Sequence, residues 1–297
     1  MSAPLISVVV ITFNMARELP RTLLTLRASY QKNISNEDIE IIVVDNGSTQ
    51  EAIIDKSWNN IRYFNYSNPT HSPVEAVNFG LSKCNAKFIG VMIDGARMAS
   101  PNLLSLALMA NKLSQNSLIS THAYHLGHEV QMKSVLNGYN QQVEDELLQS
   151  VPWETNGYSL FNISVFAGSS AKGWFNPIAE SNAFFTTRVN WDKLGGFDER
   201  FKTPGGGLVN LDTYLRATEL EGIELISLLG EGTFHQVHGG VATNQQRQDA
   251  TWNVFHEEYR AIRGKDYSPT DKKALLFGKV RQEQKKFLVD SANNFID

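Results

Sequence analysis

"LISVVVIT", residues 5–12, is a continuous run of mostly apolar, β-branched residues close to the start of the chain. A strand that is apolar at nearly every position, and not only at every second one, is typical of a parallel sheet covered on both faces. The next stretch, "ELPRTLLTLRASY" (18–30), carries leucines at helical spacing. The two stretches together predict a buried strand followed by a helix that packs on it.

The same alternation of strand and helix continues through the first half of the chain. "IEIIVVD" (39–45), "IRYFNY" (61–66) and "KFIGVMID" (87–94) have the composition of strands. Helices are predicted over residues 72–84 and 100–113, and each begins with Ser-Pro, which is typical of an N-cap followed by the first helical position. The fold class predicted is therefore α/β, with a mostly parallel central sheet and helices on both faces.

The second half is less regular. Residues 125–175 are polar and show no sustained period, which predicts a long excursion from the core of the kind that is functional or mobile. Apolar order resumes at 182–187, and a helix over 208–222 precedes a strand over 223–229. The tail from 251 to 297 is amphipathic and is predicted to be helical.

Composition bounds the class of protein. A chain of 297 residues with 42% hydrophobic residues is long enough to bury a substantial core. The net charge is −4, with acidic and basic residues interspersed, so no nucleic-acid partner is expected. The single cysteine, Cys84, excludes an internal disulfide and a cysteine-based zinc site.

The chain also has no obvious membrane segment. No stretch approaches the roughly 20 apolar residues that a transmembrane helix needs, and no basic leader precedes the first apolar run. We therefore expect a cytoplasmic protein without a transmembrane segment, and leave open a peripheral association with the inner membrane face. The oligomeric state is not legible from the sequence.

Polar side chains follow several of the predicted strands. Thr12 and Asn14 follow the first strand, Asp45 the second and Asp94 the fourth. In open parallel α/β sheets, ligands bind at the carboxyl ends of the strands. Each residue also has an ordinary explanation, because Asp and Asn are favoured in strand-exit turns. The turn after the first strand, "TFNMAREL", contains no glycine, which excludes a dinucleotide-binding fingerprint and a P-loop there.

In this order the motifs resemble those of family 2 glycosyltransferases of the GT-A fold, over roughly residues 5–240. "VVVITFN" and "IIVVDNGST" resemble the family's first two strands, and "NPTHSPVEAVNFGLSKCNAKFIGVMIDGA" the segment that leads to its metal-binding Asp-x-Asp. "GGFDERF" followed by "LDTYLRA" resembles the acceptor-side motif. The resemblance implies a GT-A domain over 1–245, divided into a nucleotide-binding half, 1–122, and an acceptor half, 123–245, with a helical extension over 246–297.

The resemblance also implies an activity: transfer of a sugar from a nucleotide-diphosphate donor to a hydroxyl of a glycan or other acceptor, with inversion. The donor would be a UDP, GDP or dTDP sugar. A divalent cation, Mn²⁺ or Mg²⁺, would link Asp94 to the diphosphate and act as a Lewis acid on the leaving group, and the small residues after Asp94 would let the nucleotide approach the backbone. The nucleoside end would be held by Thr12, Asn14, Asp45 and Asn68.

The chain departs from the family pattern at the metal site. Ala96 takes the place of the second aspartate, so Asp94 is the only carboxylate of "DGA". The family often takes a further ligand from a late histidine, and "GEGTFHQVHGG" offers His235 and His238 after a predicted strand. The glycines around them predict a tight, exposed loop, although ordinary surface histidines would give the same sequence.

The second departure concerns the general base. Aligned on Arg216, Val209 and Asn210 stand where the family has an acidic pair. The nearest carboxylates are Asp212, which would equally suit the first turn of a helix, and Glu180 in "AESNAFF". Both remain candidate catalytic residues.

Two other interpretations stay open. A catalytically silent domain of the same fold, binding a nucleotide sugar or a partner chain, is consistent with both departures. A sugar nucleotidyltransferase is disfavoured, because its N-terminal glycine- and arginine-rich phosphate loop is missing.

Overall fold

The computed structural model describes residues 3–55, 57–239 and 249–295. One sheet contains the following strands: β1 (Ile6–Thr12), β2 (Ile39–Asp45), β3 (Ile61–Asn65), β4 (Phe88–Met92), β5 (Arg97–Ala99), β6 (Ser117–Leu126), β7 (Ser164–Phe166), β8 (Phe184–Thr187), β9 (Glu224–His235) and β10 (Leu275–Gly278). The helices are α1 (Leu19–Leu26), α2 (Val74–Lys83), α3 (Leu103–Asn111), α4 (Gln131–Ser134), α5 (Gln141–Gln149), α6 (Arg188–Leu194), α7 (Val209–Thr218), α8 (Asp249–Arg263) and α9 (Lys285–Asn293).

The sheet has the strand order β10-β9-β6-β8-β4-β1-β2-β3. β1 lies between β2 and β4 and is parallel to both, with Ile6 opposite Ile39 and Phe88. β8 is antiparallel to β4 and β6, and it connects the first parallel group to a second one formed by β6, β9 and β10. The predicted α/β class with a mostly parallel sheet is confirmed.

Both faces of the sheet are buried, as the first strand predicts. Val9 and Ile11 of β1 point into a core shared with α2, α6, α7 and α8, whereas Val8 and Val10 point into a core shared with α1 and α3. The helix α2 lies very close to the sheet, since a Cβ at Gly80 would stand 2.5 Å from Val9. Continuous apolar strands are required by this two-sided packing.

The predicted helix starts are wrong in detail. α2 begins at Val74, with Pro73 at the N-cap and no side-chain cap. The Ser72 hydroxyl instead donates to the backbone oxygen of Phe201 (2.8 Å). Likewise Ser100 does not cap α3, and its hydroxyl accepts a hydrogen bond from the Gly232 backbone (3.0 Å). Both serine hydroxyls thus bond backbone groups far away in the sequence instead of capping the helices that follow them.

The region 125–175 is a folded part of the molecule. β6 continues to Leu126, and a third core forms around Tyr124 of this strand from aromatic residues that include Trp153, Tyr158 and Phe161. The predicted excursion from the core is therefore wrong for these residues. The sequence pattern does not reveal these core residues. They lie on short helices and turns, so their spacing follows neither a helical nor a strand period.

The C-terminal tail is helical over α8 and α9, as predicted, but it also supplies β10, the edge strand beside β9. Phe255 and Tyr259 of α8 and Phe287 of α9 are buried in the main cores. The predicted boundary at 245/246 lies outside the described residues, and that at 122/123 falls inside β6. No helix in the described ranges is long and apolar enough to cross a lipid bilayer.

Candidate active site

The turns that follow β1 and β2 are joined to each other. Thr12 is opposite Asp45 at the ends of these neighbouring strands. Asn14 adopts a left-handed backbone (φ +54°), and its side-chain oxygen accepts a hydrogen bond from the Thr49 backbone (2.8 Å). The Asn14 backbone N–H donates to the Ser48 hydroxyl (2.8 Å). The structure thus brings three of the predicted nucleoside-binding residues to one edge of the sheet.

Asp45 is buried, and both of its oxygens already have protein partners. Oδ1 accepts from the Ser48 backbone (2.7 Å), and Oδ2 accepts from the Tyr63 hydroxyl (2.6 Å). The ordinary turn role of Asp45 is therefore present, and contact with a nucleoside stays a prediction. Asn68 is exposed in the loop after β3. Asn46 holds this loop by donating a hydrogen bond to the Thr70 backbone oxygen (2.8 Å).

Asp94, His235 and His238 form a cluster at the end of β4. The Asp94 Oδ2 lies 2.8 Å from the His235 Nε2 and 3.5 Å from the His238 Nε2. The two imidazole Nε2 atoms are 3.1 Å apart, and the three potential ligand atoms all lie within 4.8 Å of one another. The predicted trio is therefore brought together.

The histidines do not sit in a tight, exposed loop, contrary to prediction. β9 extends to His235, which is buried at 1% exposure, and His238 follows three residues later. The glycine-containing stretch remains a strand because it pairs with β6 on one side and with β5 on the other, and an irregularity between Ser120 and His122 of β6 accommodates it.

Gln131 determines which nitrogen of His235 carries the proton. Its amide nitrogen donates to the His235 backbone oxygen (3.0 Å), which turns its amide oxygen toward the His235 Nδ1. An amide oxygen only accepts, so Nδ1 is the protonated nitrogen and the lone pair of neutral His235 is on Nε2. Burial, together with the charge of Arg97, lowers the pKa of His235 to about 4. The Nε2 lone pair thus faces the Asp94 carboxylate.

The arrangement of one carboxylate and two imidazole Nε2 atoms within 4.8 Å of one another fits a bound cation. Burial alone would raise the pKa of Asp94, but His238 and His235 outweigh it and hold that pKa well below its usual value. Burial would lower the pKa of His238, and Asp94 outweighs it, so that pKa is raised. A donor set of two imidazoles and one carboxylate suits a transition metal better than Mg²⁺, which prefers oxygen ligands alone.

The small residues after Asp94 have a packing role. A Cβ at Gly95 would stand 2.8 Å from the Ile11 backbone oxygen. Ala96 is fully buried, and its backbone N–H donates to Asp94 Oδ1 (2.9 Å). These residues pack under the carboxylate and orient it, and the approach of a nucleotide to their backbone stays a prediction.

Arg97 is a site residue that the motif comparison missed. It lies on β5 opposite His235, is 7% exposed, and places its Nε 3.5 Å from Asp94 Oδ2. Burial lowers its pKa, while the carboxylates of Asp94 and Glu180 act in the opposite direction. The signal was its position three residues after Asp94.

Glu180 and Asn210 are in direct contact. The Asn210 amide donates to Glu180 Oε2 (2.6 Å), whereas Oε1 accepts no hydrogen bond from the part of the chain that the structure describes. The charge of Glu180 acts on Arg97 together with that of Asp94, so Glu180 lies within electrostatic range of the cluster. Glu180 thus has one oriented oxygen and one available oxygen.

Asp212 has a structural role, and its function as the general base stays an untested prediction that its contacts do not favour. It is buried at 1% exposure. Arg263 of α8 donates to both of its oxygens (2.6 and 2.7 Å), and Arg216 donates to Oδ2 (2.9 Å). Both carboxylate oxygens are thus occupied by guanidinium donors, and the contact fastens α8 to α7.

A further group of missed residues holds the segment between the two histidines. Glu144 of α5 accepts a hydrogen bond from the Val237 backbone (2.7 Å), and Arg17 lies 3.3 Å from Glu144 and 2.7 Å from Asp145. Burial raises the pKa of Glu144 to about 7. Like Gln131, these acidic residues lie in the region 125–175, which has no helical or strand period, so no sequence pattern points to them.

The amino-acid sequence matches a known protein family. The family described as "Glycosyl transferase family 2" matches residues 7–167, more than half of the 297-residue chain. A search of the curated proteins finds no match.

Solved structures of S. aureus TarS have a similar fold. One matches with a TM-score of 0.54 and 16% identity, and covers 86% of this chain but 38% of that chain. TarS 1-349 matches with a TM-score of 0.52 and 15% identity, over 97% of this chain and 79% of that one. TarS 1-349 in complex with UDP-GlcNAc matches with a TM-score of 0.53 and 14% identity, over 86% and 66%. The predicted GT-A fold is confirmed, and the family match over more than half of the sequence shows that this chain belongs to glycosyl transferase family 2.

Proposed function

We propose that this glycosyltransferase moves a sugar from a UDP-sugar to a hydroxyl of a glycan or other acceptor, with inversion at the anomeric carbon and with help from a divalent cation. The observation that carries the proposal is the convergence of Asp94, His235 and His238 beside Arg97, which connects them electrostatically to Glu180. The site lies at the carboxyl ends of β1, β2 and β4, where open α/β sheets bind ligands.

The choice of a UDP-sugar rests on structures of similar fold. TarS 1-349 was solved in complex with UDP-GlcNAc and in complex with UDP. In this chain, the joined turns that contain Thr12, Asn14 and Asp45 would hold the nucleoside, with Asn68 on the adjoining loop. We also retain the expectation of a cytoplasmic location for a reaction that uses a nucleotide sugar.

The residues present fit a divalent cation, and Asp94, His235 and His238 would hold it. When bound, such a cation supplies Lewis-acid stabilisation of the diphosphate leaving group. Gln131 keeps the His235 Nε2 unprotonated and directed at the site, which is the usual task of a residue behind a metal-binding histidine. The two imidazoles favour Mn²⁺ over Mg²⁺ as the physiological ion.

Glu180 would be the general base. Its available Oε1 would accept the proton of the acceptor hydroxyl, while Asn210 holds Oε2 in place. The acceptor oxygen then forms a bond to the anomeric carbon as the bond from that carbon to the phosphate oxygen breaks. UDP leaves with the electron pair, and a single displacement inverts the anomeric configuration.

Turnover and stereochemistry test the proposal. The protein would be incubated with a panel of UDP-, GDP- and dTDP-sugars, glycan acceptors and Mn²⁺, and the products followed by proton NMR. We expect release of UDP and a product with the anomeric configuration opposite to that of the donor. Retention would overturn the single displacement, and tight UDP binding without any turnover across the panel would favour the catalytically silent interpretation.

A further inference from the structure

Arg97 is buried beside the proposed cation-binding cluster, and no described residue accepts a hydrogen bond from it. Its Nε and Nη1 are fully buried, and none of its nitrogens donates a hydrogen bond to a residue within 3–55, 57–239 or 249–295. The Asp94 Oδ2 lies 3.5 Å from Nε, close enough for an ion pair, but it is oriented toward the two imidazoles. A guanidinium has five N–H donors, and the described residues supply no hydrogen-bonded oxygen for those of Arg97.

Two arginines with structural roles, Arg263 and Arg216, differ from Arg97 in that their guanidinium groups are hydrogen-bonded to protein oxygens. Arg263 donates to both oxygens of Asp212 at 2.6 and 2.7 Å, and Arg216 adds bonds to the backbone oxygens of Leu194 and Gly196. Arg97 has Asp94 three residues away and makes no such bidentate pair. Because buried unsatisfied donors are costly, above all charged ones, an arginine kept in this state points to an acceptor that arrives with a ligand.

The position of Arg97 defines the chemistry of that ligand. Arg97 is paired with His235 across β5 and β9, and its Nε lies 3.5 Å from Asp94 Oδ2, so it lies beside the groups of the proposed reaction centre. A guanidinium donates strong, charge-assisted hydrogen bonds to phosphate oxygens. Ala96 removes the second carboxylate of the family's motif, and the very next residue supplies a positive charge.

We propose that Arg97 binds the diphosphate of the donor directly and stabilises the charge that develops on the leaving group. This inference rests on the proposed function, since it assigns a residue to the same donor site. It divides the task of holding the diphosphate between the Asp94 cluster and a fixed positive side chain. A measurable part of the affinity for UDP is then independent of the cation, and the affinity for uridine is independent of Arg97.

The test is calorimetric titration of uridine, UMP, UDP and inorganic pyrophosphate, each in Mn²⁺ and in EDTA. Arg97→Gln should weaken binding of UDP and pyrophosphate about ten- to a hundredfold, the size of a lost charged hydrogen bond, and should leave uridine unchanged. Arg97→Lys keeps the buried charge and should give an intermediate loss. Arg62→Gln is the matched control, because Arg62 bonds Glu40 and the Lys83 backbone oxygen away from the site.

Circular dichroism and thermal melting would verify that the variants fold, and Arg97→Lys carries the test if Arg97→Gln does not fold. Equal affinity of wild type and both Arg97 variants for UDP and pyrophosphate would overturn the role of Arg97 and leave the proposed function standing. Pyrophosphate binding that depends on Arg97, in a protein that binds neither uridine nor UDP, would support the diphosphate site and overturn the nucleotide donor.

Discussion

Asn210 donates a hydrogen bond to Glu180 Oε2 over 2.6 Å, across 30 residues of sequence. An amide thus stands at the position where the family resemblance places a carboxylate, and it orients a carboxylate that comes from a different segment. In the proposed reaction the acidic function is transferred to Glu180, whose Oε1 accepts no hydrogen bond from the described residues.

Replacing Glu180 with Gln tests this transfer of function. The amide keeps the shape of the side chain and removes its basicity, so kcat should fall about 10²- to 10⁴-fold. The affinity for UDP, measured by calorimetry, should stay within about twofold, because proton transfer belongs to the transition state alone. A variant with wild-type kcat would show that the base lies elsewhere.

Asp212→Asn should show the opposite pattern. The substitution leaves Arg263 and Arg216 without their buried counter-charge, which we expect to cost about 3–5 kcal/mol in the free energy of unfolding. Urea denaturation would measure the loss, and kcat per folded molecule should stay close to wild type. A selective loss of kcat at unchanged stability would restore Asp212 as the base.

Gln131→Leu tests the residue behind the cation site. Without the amide oxygen, His235 can carry its proton on Nε2 and present N–H to the cluster, so Mn²⁺ affinity should fall about 10- to 100-fold. Electron paramagnetic resonance of free Mn²⁺ would report this directly. The Asn137→Leu variant, altered on the surface next to Glu129, should bind Mn²⁺ as wild type does, and equal binding by the Gln131 variant would show that His235 needs no orienting partner.

The sequence predicted the parts of the site that follow regular strands. Asp45 lies at the end of an apolar strand, and Asp94 follows another. Parallel pairing brings the carboxyl ends of such strands to one edge of the sheet, independently of the loops that follow them. Glu180 and His235 are also among the predicted site residues, but the sequence does not predict which residues contact them. The orientation of Glu180 is set by a hydrogen bond from Asn210. The position of His235 is set by β9, whose glycine-containing segment is a strand because it pairs with β6.

What escaped prediction shares a physical cause. Gln131 and Glu144 lie on short helices whose buried faces are set by contacts with β9 and with Arg17, and not by any period of their own. Ser72 and Ser100 resemble helix caps but bond distant backbone groups. Tertiary contacts of this kind override local preference, and a single sequence does not reveal them.

Asp45→Asn and Tyr63→Phe together test the nucleoside pocket. If Asp45 binds the base of UDP, Asp45→Asn should weaken uridine binding about tenfold or more, the effect of a hydrogen bond to a charged group. Tyr63→Phe removes only the bond to Asp45 Oδ2 and should change uridine affinity less. Calorimetry with uridine separates the two, and unchanged affinity in both variants would make Asp45 a turn residue only.

Glu144 should make the stability of the protein depend on pH. Burial raises the pKa of its carboxyl to about 7, whereas an ordinary glutamate titrates near 4.5. Between these values the folded state binds more protons than the unfolded state, so stability is fully present below about pH 4.5 and declines as pH rises to about 7. A difference of this size corresponds to a loss of about 3 kcal/mol.

Glu144→Gln isolates this contribution. The amide is neutral at every pH and keeps an oxygen that can accept the Val237 backbone N–H. Urea denaturation at pH 4.5 and pH 8 should therefore show that wild type loses stability relative to the variant, by up to about 3 kcal/mol, since titrations elsewhere are common to both proteins. Asp145→Asn, which removes the exposed partner of Arg17, serves as the control and should follow the wild-type profile. Parallel profiles for wild type and Glu144→Gln would mean that Arg17 keeps Glu144 ionised across the whole range.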